Sequence, residues 1–399
     1  MIPFYRPYFD RSELLAALRP GSGRAKFESA VAGSLGVRYG IAFAYGRSGI
    51  VAALKALEIK QAEVILPAYT CEVMAQAVVA SGNRPVFVDI DLADYNMDLG
   101  KIKNALSART RAIIATYMFG YPTDVDAIRS IAGDERILII EDRAQGMLSS
   151  FAGTAELRGD IGLCSFGPNK QLSTVQGGMI VTNSYAHYEK IKAYRDSHMD
   201  RRSVDFYAKP WMRLLASYVV FRQPTYGLLQ RIGLMGWNDR LDQSSDSSQP
   251  TLPRNYAATY MDFQGRIGLA QLNKLEIIVS KRRALAEMYD CELRDIAGLR
   301  SAPMIPGATY AYYTLRIRQR DEINFPLRML AQSVAVDQTY DYVLPLLKAY
   351  RIDARGEYPC ARQAAQEVVN LPIYPGLSAE NARYVAASAR RAIQEGFKA

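Results

Sequence analysis

The sequence predicts an α/β protein: a large domain on a mostly parallel, buried sheet, followed by a small C-terminal α+β domain. Three observations predict it. Short aliphatic runs alternate with helix-like stretches through the first part of the chain. The runs are apolar at consecutive positions, as strands covered on both faces require. At 399 residues the chain exceeds the size at which single cores stop growing, so two domains are expected, 1–250 and 251–399.

The elements follow in order. Val64–Leu66 reads as a strand, Cys71–Ser81 as a helix, and Pro85–Asp89 as the next strand. Asp98–Leu106 is helical, Ala112–Ala115 a strand, Asp124–Ala132 a helix, and Ile137–Ile140 a strand ending in Glu141-Asp142. Gly46 to Gly49 form a glycine turn opening a helix over Ile50–Leu57. Ile161–Phe166 is strand-like and precedes Lys170 and the buried-looking Thr174–Val181. The C-terminal part opens with one long helix over Gly265–Arg294, whose Gly268, Leu272, Leu275 and Val279 share a face. Strand-like Tyr312–Ile317 and a final Ala379–Phe397 helix complete it, with Arg390-Arg391 on a solvated face.

Composition narrows the function classes. Hydrophobic residues make up 49%, which excludes a mainly disordered chain. Four scattered cysteines form no C-x-x-C pair, and two histidines make a His-rich metal site unexpected. The start, MIPFYRPYFDRSELL, lacks a secretory pattern, so a cytoplasmic location is expected. The net charge of +9 fits a phosphorylated substrate or an anionic membrane surface; no zinc-finger or RNP-type signature and no dense basic run points to nucleic acid.

In doubly wound sheets ligands sit beyond the carboxyl ends of the strands, so the residues there are the candidates. Gly46 to Gly49 would present free backbone N–H groups to a phosphate, although most such turns are ordinary loops. Asp142 closes an aliphatic strand, so its carboxylate wants a cation: a protonated ring nitrogen, or neighbouring Arg143. Lys170 lies between two buried segments, where a lowered pKa would suit Schiff-base chemistry; spacing alone fits a solvated lysine as well.

Together these segments resemble the DegT/StrS family of sugar aminotransferases, pyridoxal-phosphate enzymes of fold type I. GRSGIVAALKAL, VILPAYT, PVFVDIDLADYNMD, TRAIIATYMFGYPTDVDAI, ILIIEDRAQG, GDIGLCSFGPNKQLSTVQGGMIVTN, GRIGLAQLNKLEIIVSKRRALAEMY and VVNLPIYPGLS occur in the family's order over most of the chain. The resemblance implies that Lys170 bonds to pyridoxal 5'-phosphate and shuttles protons, and that Asp142 pairs with the ring nitrogen. It implies Gln145 at the ring's 3-oxygen, Gly46, Arg47 and Ser48 at the phosphate with the Ser165 hydroxyl, and Cys71 beside the ring. A related dehydratase branch replaces the lysine with histidine, so the retained Lys170 implies transamination. Cys71 stands where many members have an aromatic residue, Tyr117 where histidine is frequent, and Gln176 where glutamate is common. Thr259 stands where Arg or Asn usually approaches the phosphate of the other subunit, with Asn255 close by.

One segment is longer than the family needs. Trp211 to Trp237, within an insertion over 205–245, has apolar runs broken by Arg213, Arg222 and Arg231, and no stretch reaches the roughly 18–20 residues of a spanning helix. It reads as two short helices hinged at Pro224. Either it is buried at a dimer interface or over the active-site mouth, or it lies on a membrane with Lys209, Arg213, Arg222 and Arg231 facing headgroups. Asp239–Pro253 reads as a loop.

The leading expectation is a homodimeric pyridoxal-phosphate aminotransferase that loads an amino group from glutamate onto a nucleotide-activated keto-sugar, in polysaccharide, antigen or natural-product biosynthesis. A second keeps the cofactor but takes a lipid-linked or non-sugar ketone at the inner membrane face. A third is a non-catalytic, cofactor-binding regulator, against which Lys170, Asp142, Gln145 and Ser165 argue together.

Overall fold

The main sheet holds β1 (Tyr39–Phe43), β2 (Glu63–Pro67), β3 (Arg84–Val88), β4 (Thr110–Thr116), β5 (Leu138–Asp142), β6 (Ile161–Ser165) and β7 (Gly178–Thr182). Their order is β1-β7-β6-β5-β4-β2-β3. Neighbours from β6 through β3 run parallel, and β7 runs antiparallel to both β6 and β1. This computed structural model describes residues 1–199, 204–231, 251–301, 304–351 and 356–397.

Two helices, α1 (Arg11–Leu18) and α2 (Gly23–Ser34), precede β1, and the crossovers carry α3 (Gly46–Ala56), α4 (Glu72–Ala80), α5 (Leu99–Ala105) and α6 (Val125–Ala132). Successive side chains on a strand point to opposite faces. Ile140, Ile114, Val64 and Leu66 therefore pack under α3 and α4, while Ile139, Ile113 and Ile65 pack under α5 and α6. The same parity sends Asp142 to the α3 side and Glu141 to the α6 side. Asp98 and Asp124 cap α5 and α6, accepting from the N–H groups of Gly100 and Ala127.

After β7 come α7 (Tyr185–His198), α8 (Val204–Val220) and α9 (Gln223–Arg231), then α10 (Asp262–Leu272) and α11 (Leu275–Leu293). A second, antiparallel sheet orders β10 (Val368–Leu371), β9 (Tyr313–Ile317) and β8 (Leu299–Ser301). It is accompanied by α12 (Phe325–Ala331), α13 (Pro359–Glu367) and α14 (Ala379–Gly396).

Three expectations are corrected. The helix expected at Ile50 begins at Gly46, because the glycines let it seat directly on β7: a Cβ at Gly178 would lie 2.4 Å from Gly46 Cα. The single long helix is two. It breaks at Asn273-Lys274, where Lys274 Nζ reaches Asp10 at 2.8 Å and Glu13 at 2.7 Å and docks α1. The insertion breaks at Phe221-Arg222 rather than at Pro224, which sits in the first turn of α9, where the missing N–H costs no helical bond. Trp237 and most of the loop expected over Asp239–Pro253 lie outside the described residues, as does the side chain of Arg231. Among the described residues no helix is long and apolar enough to cross a membrane.

Candidate active site

The carboxyl ends of β4, β5 and β6 open onto a cleft of about 220 Å³, closed on one side by the start of α3 and on another by the turn after β2. Asp142, Gln145, Ser165, Lys170, Cys71 and the Gly46-Arg47 pair all line it. Seven of the eight residues expected from the sequence thus converge.

Asp142 is buried, and its carboxylate accepts from the Ala144 N–H at 3.0 Å. Arg143 is not its partner. The guanidinium lies on the other face of the sheet and binds Glu141 at 2.7 Å. Burial pushes the Asp142 carboxyl above its ordinary range, and nearby Lys170 pulls the other way. Burial likewise drives the Lys170 amine below the usual lysine value, while Cys71 and Asp142 raise it. The Cys71 thiol is pushed up by burial.

Lys170 hangs from a turn braced on both sides. Asn169 donates to the Tyr312 hydroxyl at 2.9 Å, and buried Gln171 donates to the carbonyl of Gln145 at 2.8 Å. The Gln145 side chain accepts from the Phe119 N–H at 2.8 Å and donates to the Tyr340 hydroxyl at 2.7 Å, which fixes its amide plane against the cleft. Tyr340 arrives from the C-terminal part, beside Tyr342, whose hydroxyl accepts from the Glu72 N–H.

At the opposite corner no side chain caps α3, so its first N–H groups face the cleft with the positive end of the helix dipole behind them. Ser48 is expected to serve through its backbone, and its side chain is turned away from the cleft. The hydroxyl donates to the Tyr256 carbonyl at 2.5 Å and is fully buried, leaving only its backbone to serve a ligand. Arg47 donates to Gln76 at 3.0 Å along the wall. Val175 and Gly177 hold positive φ of 61° and 145° to bring this corner round, the first a strained conformation for a β-branched residue.

Two of the lining residues that sequence reasoning did not place in the site are Tyr340 and Arg213. Tyr340 carried no local signal, being brought in from a distant segment. Arg213 is given a role only under the membrane-face alternative for its segment, yet it lines the cleft and donates to Gln176 at 2.7 Å, in keeping with the other alternative of a segment over the active-site mouth. A charged residue inside the apolar run of α8 was the available clue.

These groups fit pyridoxal phosphate. A buried carboxylate with no ion pair among the described residues suits a protonated ring nitrogen, an amine of lowered basicity suits bond formation to an aldehyde, and an uncapped helix start suits a phosphate.

A model of the DegT/DnrJ/EryC1/StrS aminotransferase family matches residues 13–390. A UDP-N-acetyl-3-dehydro-alpha-D-glucosamine 3-aminotransferase of Acidithiobacillus ferrooxidans is 29% identical, over 93% of this chain and 88% of its own. A UDP-2-acetamido-2-deoxy-3-oxo-D-glucuronate aminotransferase of Pseudomonas aeruginosa is 28% identical, over 91% and 89%. The crystal structure of the aminotransferase TlmJ from Streptoalloteichus hindustanus superposes with a TM-score of 0.79 at 26% identity, covering all of both chains.

Proposed function

The chain belongs to the DegT/DnrJ/EryC1/StrS aminotransferase family and is an aminotransferase of fold type I; from that premise we propose that it transfers an amino group from glutamate to a nucleotide-activated keto-sugar, as a homodimer. The relatives named for nucleotide-sugar ketones support the acceptor class. The observation that carries the reading is the convergence of Lys170, Asp142 and the uncapped start of α3 on one cleft.

The residues divide the work. Lys170 would hold the cofactor covalently between turnovers, Asp142 would keep its ring nitrogen protonated, Gln145 would orient it, and Ser165 with the backbone of Gly46, Arg47 and Ser48 would hold its phosphate. Cys71 would lie beside the ring. The bound cofactor supplies an electron sink for the carbanion. Lys170 Nζ takes the proton from Cα of the amino donor, which leaves as its keto acid. In the return half-reaction the same nitrogen delivers a proton to the sugar carbon that becomes aminated. The lowered basicity of Lys170, caused by its burial, favours the unprotonated amine that such a step needs. The large domain, 1–250, would carry the cofactor and 251–399 would cover it.

The purified protein is expected to show the visible absorption band of the lysine-linked cofactor. Glutamate should bleach it, and Lys170→Ala should lack it. A band unchanged in Lys170→Ala would refute the assignment of Lys170.

A lipid-linked acceptor is favoured by one observation. Met212, Leu215 and Val219 recur along one side of α8 and are 54–66% exposed, flanked by exposed Lys209 and Arg222. Co-sedimentation with anionic vesicles by the wild type but not by Met212→Ser/Leu215→Ser/Val219→Ser would support peripheral contact, and no binding by the wild type would reject it.

A further inference from the structure

We infer that Arg213, carried by the insertion helix α8, is a phosphate-binding residue of its own subunit's cofactor site. The inference rests on the cofactor reading above and adds a residue from a different part of the chain.

Three observations support it. First, α8 is packed against segments from both parts of the chain rather than standing free. Trp211 stacks on Phe263 with ring centroids 4.8 Å apart and planes at 18°, Leu214 is fully buried, and the Tyr218 hydroxyl donates to the Asp10 carbonyl at 2.5 Å. Arg213 lies between two of these anchors, so its approach to the cleft is set by packing and not by a flexible stem alone.

Second, its place in the cleft is the phosphate corner. Arg213 Nη1 donates to Gln176 Oε1 at 2.7 Å, and Gln176 Nε2 donates in turn to the carbonyl of Ala44 at 3.4 Å, two residues before the start of α3. Gly178, two residues beyond Gln176, is the residue packed against Gly46. Arg213, Gln176 and the first turn of α3 are thus one connected corner.

Third, the guanidinium lacks a countercharge among the described residues. No carboxylate among them forms a salt bridge with Arg213, and its acceptor is a neutral amide. A partly buried guanidinium with remaining N–H donors, beside a helix start whose dipole is positive, makes a corner of uncompensated positive charge. A phosphate dianion satisfies both partners at once, the planar fork and the backbone N–H groups. The amino donor's carboxylate and the nucleotide's diphosphate are the competing anions. Comparing ligands with and without the phosphate group separates them from the cofactor's phosphate.

The test compares pyridoxal 5'-phosphate with pyridoxal, which lacks only the phosphate, by equilibrium binding to apoprotein of the wild type, Arg213→Gln and Arg213→Lys, alongside the thermal midpoint of each apoprotein. Losing a charge-assisted contact should weaken pyridoxal phosphate binding by about tenfold or more in Arg213→Gln. Pyridoxal binding and the apoprotein midpoint should be unchanged, and Arg213→Lys should fall between. Equal weakening of both ligands would overturn the inference and make Arg213 a packing residue. Unchanged pyridoxal phosphate binding, with a raised KM for donor or acceptor, would overturn it in favour of a substrate anion. A wild type that binds neither ligand would defeat the cofactor reading itself, and is recognised before any variant is made.

Discussion

Arg143 closes on Glu141, Nε to Oε2 at 2.7 Å with both side chains almost wholly buried, and thereby leaves Asp142 without it. Strand parity is the cause: adjacent residues of β5 face opposite sides of the sheet. On the far side Glu141 also accepts from the Tyr117 hydroxyl at 2.8 Å and from the N–H groups of Arg158 and Gly159, while the Arg143 guanidinium lies 4.7 Å from the Tyr117 ring centroid. The carboxylate in the cleft is therefore kept free by a neighbour that is satisfied elsewhere.

Breaking that pair from one side strands a buried charge. Arg143→Met should lower unfolding free energy by about 3–5 kcal/mol, read from chemical denaturation. The Glu141→Gln/Arg143→Met double variant should lose less than the two single variants summed.

Lys170 and Asp142 give the apoprotein opposite pH signatures. The folded-state pKa of Lys170 is lowered below 10.5, so the unfolded chain binds the extra proton and stability rises with pH from that lowered value towards 10.5. The folded-state pKa of Asp142 is raised above 3.8, so stability falls as pH climbs from 3.8 through the raised value. Lys170→Met should remove the alkaline rise, and Asp142→Asn the acidic fall, in thermal midpoints of apoprotein across pH. Both variants should be at least as stable as the wild type at neutral pH and inactive.

Two glycines should respond with opposite signs. A Cβ at Gly178 meets backbone at Gly46, which cannot yield cheaply, so Gly178→Ala should cost about 1–3 kcal/mol and weaken cofactor binding. Gly33, on α2, has open space around it, so Gly33→Ala should stabilise by about 0.4–1 kcal/mol. Thermal melts of the two variants check both.

Anchoring of α8 can be tested from its buried side. Leu214→Ala should remove packing that holds Arg213 over the cleft. Faster proteolysis within 204–231, with the main transition little changed, is the expected outcome of local release. A single global transition lowered by several degrees would mean instead that α8 melts with the sheet.

Much of the fold was legible because parallel strands buried on both faces write uninterrupted aliphatic runs: β2, β4 and β5 lie where those runs lie. Asp98 and Asp124, read as helix starts, are the observed caps. Asp142 and Lys170 drew attention by lying just past buried strands, but their roles and that of Gln145 came from the resemblance of the surrounding segments to the family. The division of α10 from α11 was hidden, since the interruption comes from docking α1 through Lys274 and the apolar stripe runs on past it. The apposition of Gly46 and Gly178 was hidden too, because strand order is not written locally. Arg213 and Tyr340 reach the cleft from helix and coil far along the chain, and local periodicity says nothing about such meetings.

The cleft is walled by Tyr45 at one extreme of the sequence and Tyr340 at the other. Its closure is therefore a late event. The main sheet draws all its strands from residues 39–182, yet Gln145 has its Tyr340 partner only when the C-terminal part folds back, with Leu344 N–H on the Ala68 carbonyl at 2.9 Å. A chain still being synthesised has the floor of the site long before it has the wall, so durable capture of the cofactor waits for the last quarter of the polypeptide.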